Sequence, residues 1–244
     1  MTQQLKIVSE SSAMLNRILE PEVMDTREGA CDYDSMNHEA VNRRFVEDFL
    51  AFCFSTPLKG RLVDSTTPLT VLDVGTGTAQ IPIELCRRPV TCRVYAIDLA
   101  NEMLKLAEIN VARAGLAATI QLEFVDAKKM SYADRSFDAV ISNSIVHHIP
   151  EPRAVFSEMS RVLAMGGVMF VRDLLRPNTD AEVDHLVATY AGQENAHSQQ
   201  MFRDSLHAAL TLAEVRELAQ EINIPESAIS QTSDRHWTLA WLFL

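Results

Sequence analysis

Nine consecutive residues, Val71-Leu-Asp-Val-Gly-Thr-Gly-Thr-Ala79, constrain this chain more than any other stretch. An apolar run from Val71 to Val74 reads as a buried strand, and the pair Gly75 and Gly77 breaks it into a tight turn. Glycine belongs where the backbone takes positive φ or where a ligand approaches too closely for a Cβ. A helix is expected to follow from about Gln80 to Ile83. Strand, glycine turn and helix in this order form the nucleotide-binding opening of an open α/β sheet. A dinucleotide site would read G-x-G-x-x-G, but Gln80 stands at the third glycine position. Asp73, two residues before Gly75, would repel a phosphate and suits an ammonium. The loop is therefore expected to hold a nucleoside without phosphates.

Alternating strands and helices continue downstream, the pattern of a doubly wound sheet. Arg93 to Ile97 reads as a strand ending at Asp98, and Asn101 as the cap of a helix with Met103, Leu104, Ala107 and Val111 on its apolar face. Gly115 is expected to stop that helix. Ile120, Leu122 and Phe124 alternate with polar residues as a third strand ending at Asp126, and Phe137 to Ser142 forms a fourth. Val155, Met159, Val162 and Leu163 stripe the next helix, Gly166-Gly167 ends it, and Val168 to Val171 is the fifth strand. Thr211-Leu-Ala-Glu214 is a capping box. Two closing strands are expected near Ile229 and from Trp237 to Phe243, with Ser233 to His236 as a hairpin turn or a pocket wall.

Upstream, Met14, Leu15, Ile18 and Leu19 have helical spacing before Pro21. Tyr33-Asp-Ser-Met-Asn-His38 leads into a helix with Val41, Phe45, Phe49 and Phe52 on one face and Asn37 as its N-cap. The chain of 244 residues thus reads as one α/β domain over 57–244 with an N-terminal helical lid over 1–56. A cap is inserted after the fifth strand, about 174–210.

Charge narrows the partners. A formal net charge of −11 argues against nucleic acid, since phosphate contacts need clustered Lys and Arg. No apolar run approaches a membrane span, and the opening residues show no signal-peptide core, so the cytoplasm is the expected compartment. Cys31, Cys53, Cys86 and Cys92 form no C-x-x-C pair and are expected to be buried thiols.

Val71 to Ala79 closely resembles the first motif of the class I S-adenosylmethionine-dependent methyltransferases, and further stations of the resemblance recur to about Pro177. Tyr33-Asp-x-Met-Asn37 is similar to the lead-in of the ubiquinone and menaquinone methyltransferases, where it folds over the cofactor. The resemblance implies a Rossmann-like, seven-stranded, mostly parallel sheet that binds S-adenosyl-L-methionine and releases S-adenosyl-L-homocysteine. Asp98 would accept the ribose hydroxyls, with Leu99 beside it, and Asp126 and Ala127 would read the adenine. Gly75, Thr76 and Gly77 would make room for the cofactor, while Asp73, Asn143 and Ser144 would order its methionine end and Tyr33 would cover it.

His147 and His148, on the segment that lines the transferred methyl in that family, are general-base candidates for a hydroxyl or amine acceptor, or structural residues under the cofactor. No metal is expected there, because adjacent imidazoles on a strand-to-helix turn rarely point at one ion, even with Glu151 nearby. Arg172, Arg176 and Arg203 could converge on an anionic small-molecule substrate, or pair with Asp173, Asp180 or Asp204. Two rivals share the opening: an NAD(P)-dependent oxidoreductase, against which the missing third glycine counts, and a non-catalytic module that binds the nucleoside to regulate a partner. Oligomeric state is not legible.

Overall fold

The computed structural model describes residues 14–21, 23, 25–36, 38–63 and 66–244. Its centre is a seven-stranded sheet in the order β3-β2-β1-β4-β5-β7-β6. The strands are β1 (Leu69–Val74), β2 (Cys92–Asp98), β3 (Ile120–Phe124), β4 (Phe137–Asn143), β5 (Leu163–Leu174), β6 (Ile229–Gln231) and β7 (His236–Leu242). β3, β2, β1, β4 and β5 run parallel, and β7 inserts antiparallel between β5 and β6. The strand order reverses between β1 and β4, and in such sheets ligands bind beyond the carboxyl ends of the strands at this point.

The helices are α1 (Arg27–Ser35), α2 (Glu39–Phe54), α3 (Lys59–Val63), α4 (Gln80–Cys86), α5 (Asn101–Arg113), α6 (Arg153–Val162), α7 (Asp180–Tyr190), α8 (Ala196–Ala208) and α9 (Leu212–Glu221). Apolar faces of α2, α4 and α5 cover one side of the sheet, and those of α6 and α9 cover the other. Phe45 and Phe49 of α2 are fully buried and stack against Phe170 of β5. α2 therefore packs as part of the sandwich and not as a lid apart from the sheet. The cap after β5 is the pair α7 and α8, with a small core of its own around Val183, Leu186 and Leu206.

Several local expectations change. Met14 to Leu19 is not helical: it crosses the molecule as a strap with Met14, Ile18 and Leu19 half-exposed or more. Side-chain and backbone bonds to the cap replace helical ones, since Arg17 Nε donates to Ala208 O at 2.7 Å and Ile18 N to His207 O at 3.1 Å. Asn37 lies outside the described residues, and His38 precedes α2 with no side-chain cap bond. Asn101 is the first residue of α5, whose N-cap is Ala100. β5 begins at Leu163, earlier than the paired glycines imply, because Phe137 pairs with Leu163 and the register shifts before Ala139. Gly166 supplies the positive φ of 75° that this irregularity needs. Ser233 to His236 is a hairpin turn, closed by Thr232 N donating to His236 O. Cys31 is exposed, whereas Cys53 and Cys92 are buried. The Thr211–Glu214 capping box is present with both reciprocal bonds.

Candidate functional site

Three turns at the carboxyl ends of β1, β2 and β4 meet over the reversal point. Gly75 and Gly77 take φ of 72° and 55°, and Ala79 and Ser144 take 64° and 58° without being glycine. Glycine takes this backbone freely, whereas a non-glycine such as Ser144 in the crevice wall is strained there, and such strain clusters at ligand sites. The Gly75 and Thr76 N–H groups both donate to Ile97 O at 2.9 Å, which ties the first turn to the end of β2. Asp98 locks the arrangement: its Oδ2 accepts from Gly77 N at 2.8 Å, and its Oδ1 accepts from Ala100 N at 2.9 Å at the start of α5.

The crevice so formed opens to solvent, and about 830 Å³ of space free of protein atoms, part of it open solvent, lies between its walls. It brings together Tyr33, Gly75, Gly77, Asp98, Leu99, Asp126, Ala127, Asn143, Ser144 and His148. Asp73 and Thr76 line an adjoining recess with Tyr33 and Asn143. Tyr33 of α1 lies over the glycine turn, its Cε1 3.8 Å from where a Gly77 Cβ would stand. Asp34 holds that helix down, accepting from Gln80 Nε2 at 3.2 Å and Asn110 Nδ2 at 2.9 Å. The glutamine that replaces a third glycine thus serves to anchor α1. Asp126 Oδ1 accepts from Lys128 N at 2.9 Å, so part of its carboxylate already caps its own turn.

The recess contains side-chain atoms that burial leaves unsatisfied: Asp73 Oδ2, Thr76 Oγ1, Thr78 Oγ1, Asn143 Oδ1 and His38 Nε2. Buried polar atoms normally find partners, so five orphans around one hollow point to a polar ligand. Asp73 and Asn143 offer acceptors for an ammonium, and Thr78 offers a donor for a carboxylate, so the methionine end of the cofactor fits. Burial pushes the Asp73 carboxyl up to about 7, with Thr76 beside it opposing and Asp98 adding to the shift. Thr78 and His38 escape sequence reasoning: a threonine in a glycine turn and a histidine before a helix carry no pattern of their own.

β4 ends in a one-turn 3-10 helix, Val146–His148, which stacks the two imidazoles at 4.1 Å between ring centroids. His147 is buried behind the crevice and His148 lines it. His147 Nδ1 is 2.5 Å from Asp173 Oδ1, and Asp173 Oδ2 accepts from Val146 N at 2.5 Å. Glu20 of the strap reaches both rings, its Oε1 3.6 Å from His147 Nε2 and 3.3 Å from His148 Nδ1. Burial disfavours an imidazolium at His147, but Asp173 and Glu20 outweigh it and hold the ring above its ordinary pKa. Burial and the neighbouring His147 push His148 down to about 3. Arg17 fastens the strap over this turn, its Nη2 donating to His147 O and Ile149 O at 3.1 and 2.9 Å. Asp173, a carboxylate inside an apolar strand, could have been singled out from sequence, whereas Glu20 and Arg17 are brought in by tertiary folding alone.

The three arginines do not converge. Arg172 is buried, donating to Asp48 of α2 and Thr238 of β7, with Phe45 and Phe170 against its guanidinium. Arg176 pairs with Glu214 and donates to Ala209 O. Arg203 pairs with Asp184 across the cap. Each is neutralised by a different carboxylate, and the two buried ones brace helices against the sheet. The observed partners are also not Asp173, Asp180 or Asp204.

Comparisons with known proteins agree with this geometry. Residues 72–171 match the Methyltransferase domain family. The chain is 35% identical over 118 residues to a demethylmenaquinone methyltransferase of Porphyromonas gingivalis, covering 48% of this chain and 48% of that protein. It is 30% identical over 199 residues to a malonyl-[acyl-carrier protein] O-methyltransferase of Geobacter sulfurreducens, covering 77% of this chain and 67% of that protein. The chain therefore spans about half to two thirds of the length of these relatives. A solved SAM-dependent methyltransferase from Aquifex aeolicus shares the fold with a TM-score of 0.55 at 17% identity, over 83% of this chain and 98% of that one. With sheet order, glycine turn, family match and extended likeness in agreement, the chain belongs to the class I S-adenosylmethionine-dependent methyltransferases.

Proposed function

We propose that the protein transfers a methyl group from S-adenosylmethionine to an uncharged small-molecule acceptor entering beside His148. The observation that carries this reading is the single crevice that gathers the nucleoside-binding candidates, with the orphaned polar atoms of the adjoining recess at one end and His148 among its walls. The bound cofactor would supply a sulfonium methyl that an acceptor lone pair displaces in line; the leaving thioether needs no acid, and a proton carried by the attacking oxygen or nitrogen passes to solvent water. The protein's part is chiefly to hold the partners in line, and orientation of this kind is worth about 7–11 kcal/mol. His147 has Asp173 on one nitrogen and Glu20 facing the other, which leaves it to shape the wall rather than take a proton from the acceptor. His148, kept neutral by burial, serves as a hydrogen-bond partner that orients the acceptor. The pairing of Arg172, Arg176 and Arg203 within the protein leaves these guanidiniums committed, which favours an uncharged acceptor.

Incubating the protein with methyl-labelled cofactor and a small-molecule cell extract should yield a labelled, uncharged product identifiable by mass. Label appearing in an anionic product would overturn the acceptor class, and failure of S-adenosylhomocysteine to bind would overturn the reading itself.

Cofactor binding should depend on pH through Asp73. Its folded carboxyl titrates near 7, above the ordinary 3.8, so below 7 it is mostly protonated and cannot receive an ammonium. Affinity should fall by about tenfold per unit below that point, since one pKa unit is worth about 1.36 kcal/mol. It should be flat just above 7, and decline again once the ligand's own amine deprotonates near about 8. Calorimetry at pH 6 in two buffers of different ionisation enthalpy should show net proton release on binding. Proton uptake, or none, would remove Asp73 from the ammonium site.

A further inference from the structure

The cluster of Glu20, His147 and His148 has a chemistry that methyl transfer does not use. Among the described residues, one donor atom from each lies within 4.8 Å of the others. Zinc bound tetrahedrally at about 2.0–2.1 Å sets neighbouring donors about 3.3–3.5 Å apart. Glu20 Oε1 stands 3.3 Å from His148 Nδ1 and 3.6 Å from His147 Nε2, close to that spacing. Glu20 Oε1 and His148 Nδ1 are both buried without a hydrogen-bond partner, an arrangement that is costly unless something satisfies them. Behind the cluster, Asp173 engages His147 Nδ1 at 2.5 Å and leaves Nε2 turned toward Glu20. A carboxylate on the far nitrogen of a histidine is the recurrent outer partner of a metal-bound imidazole.

We propose that His147 Nε2, His148 Nδ1 and Glu20 form a binding site for one divalent transition-metal ion of the zinc class, bridging the N-terminal strap to the wall of the crevice. Two imidazoles and one carboxylate suit zinc better than magnesium or calcium, which take oxygen donors. Three protein donors leave a fourth tetrahedral position for water or an acceptor heteroatom, the ligand number of catalytic zinc rather than of closed structural sites. The charges around the cluster favour a cation on balance. Asp173 and Asp204 lie with Glu20 on the negative side, opposed by the Arg17 guanidinium, which is itself occupied by the carbonyls of His147, Ile149 and Ala208. Adjacent histidines need not diverge: the 3-10 turn stacks these two rings 4.1 Å apart, and each turns a nitrogen toward Glu20 Oε1. The carboxylate that joins them is Glu20 from the strap, 127 residues before His147 in the chain, and not the neighbouring Glu151. A bound ion would hold the strap against the crevice, coupling metal availability to access for the acceptor.

The test uses the full chain, stripped of metal by chelation and dialysis. Titration with zinc in a calorimeter should show one ion bound per chain, and titration with cobalt(II) should develop the intense visible absorption of a tetrahedral ion. Glu20→Gln and His148→Gln should each weaken zinc binding by at least about 10–100-fold, the loss that even an outer partner costs. Glu151→Gln should bind zinc as the unaltered protein does. Each variant is checked for S-adenosylhomocysteine binding, which reports an intact fold and is independent of the metal. Absence of stoichiometric zinc binding, or equal binding in Glu20→Gln and His148→Gln variants that retain the nucleoside, would overturn the site. An octahedral cobalt spectrum would overturn it as well.

Discussion

Gly75→Ala should lower stability by about 2–5 kcal/mol and abolish measurable binding of S-adenosylhomocysteine. Two costs add. The residue sits at φ 72°, where an L side chain loses roughly 1–2 kcal/mol. A Cβ built there would also stand 2.6 Å from Ile145 Cγ2 and 2.8 Å from Ile145 Cβ. The second of these atoms is fixed to the backbone, so no rotamer change relieves the clash, and overpacking of this kind costs about 1–3 kcal/mol. In a protein of this size the sum corresponds to a fall in Tm on the order of 5–15 °C. Because Ile145 is itself part of the crevice wall, the shift that accommodates the methyl group narrows the space for the nucleoside. Gly115→Ala provides the internal reference. Gly115 has nearly the same φ, 71°, but nothing within 4 Å of its Cβ position, so it should show the backbone cost alone and leave binding unchanged. Equal losses in the two variants, by denaturant unfolding and calorimetry, would mean that Gly75 serves the turn and not the ligand.

The contrast between those glycines shows which features a sequence can carry. The strand-turn-helix at Val71 to Ala79, the apolar faces of α5 and α6 and the Thr211 capping box are local patterns, and each forms where its residues place it. The crevice was legible for the same reason, since its walls are the ends of consecutive strands and need only the sheet order to come together. What failed was decided by distant partners. The spacing of Met14 to Leu19 suits a helix, yet Arg17 finds better-placed acceptors on the 3-10 turn and α8 than a free-standing helix could offer. The three arginines stood open between an anionic substrate and pairing with nearby aspartates, because the carboxylates they do find, Asp48, Glu214 and Asp184, lie 124, 38 and 19 positions away from their respective partners. Glu20 meets His147 by the same kind of long-range closure, and no spacing rule within either segment announces it.

Asp98→Ala should weaken S-adenosylhomocysteine by about 3–5 kcal/mol, the worth of two hydrogen bonds to a charged group. The carboxylate already accepts from Gly77 N and Ala100 N, one bond to each oxygen. An ionised carboxylate has about four acceptor sites, so two remain for the ribose hydroxyls. If Asp98 accepts the ribose hydroxyls, the variant removes two contacts to the ligand, and in either case it frees two backbone donors that shape the turn and the start of α5. These effects separate when the ligand is changed as well. An analogue without the ribose 2′-hydroxyl should bind the unaltered protein more weakly than S-adenosylhomocysteine does, whereas Asp98→Ala should bind the two ligands alike. If the variant loses affinity yet still distinguishes them as the unaltered protein does, Asp98 acts only by holding the glycine turn. The ribose must then be gripped by another group at the end of β2, with the backbone around Leu99 the first to be tested.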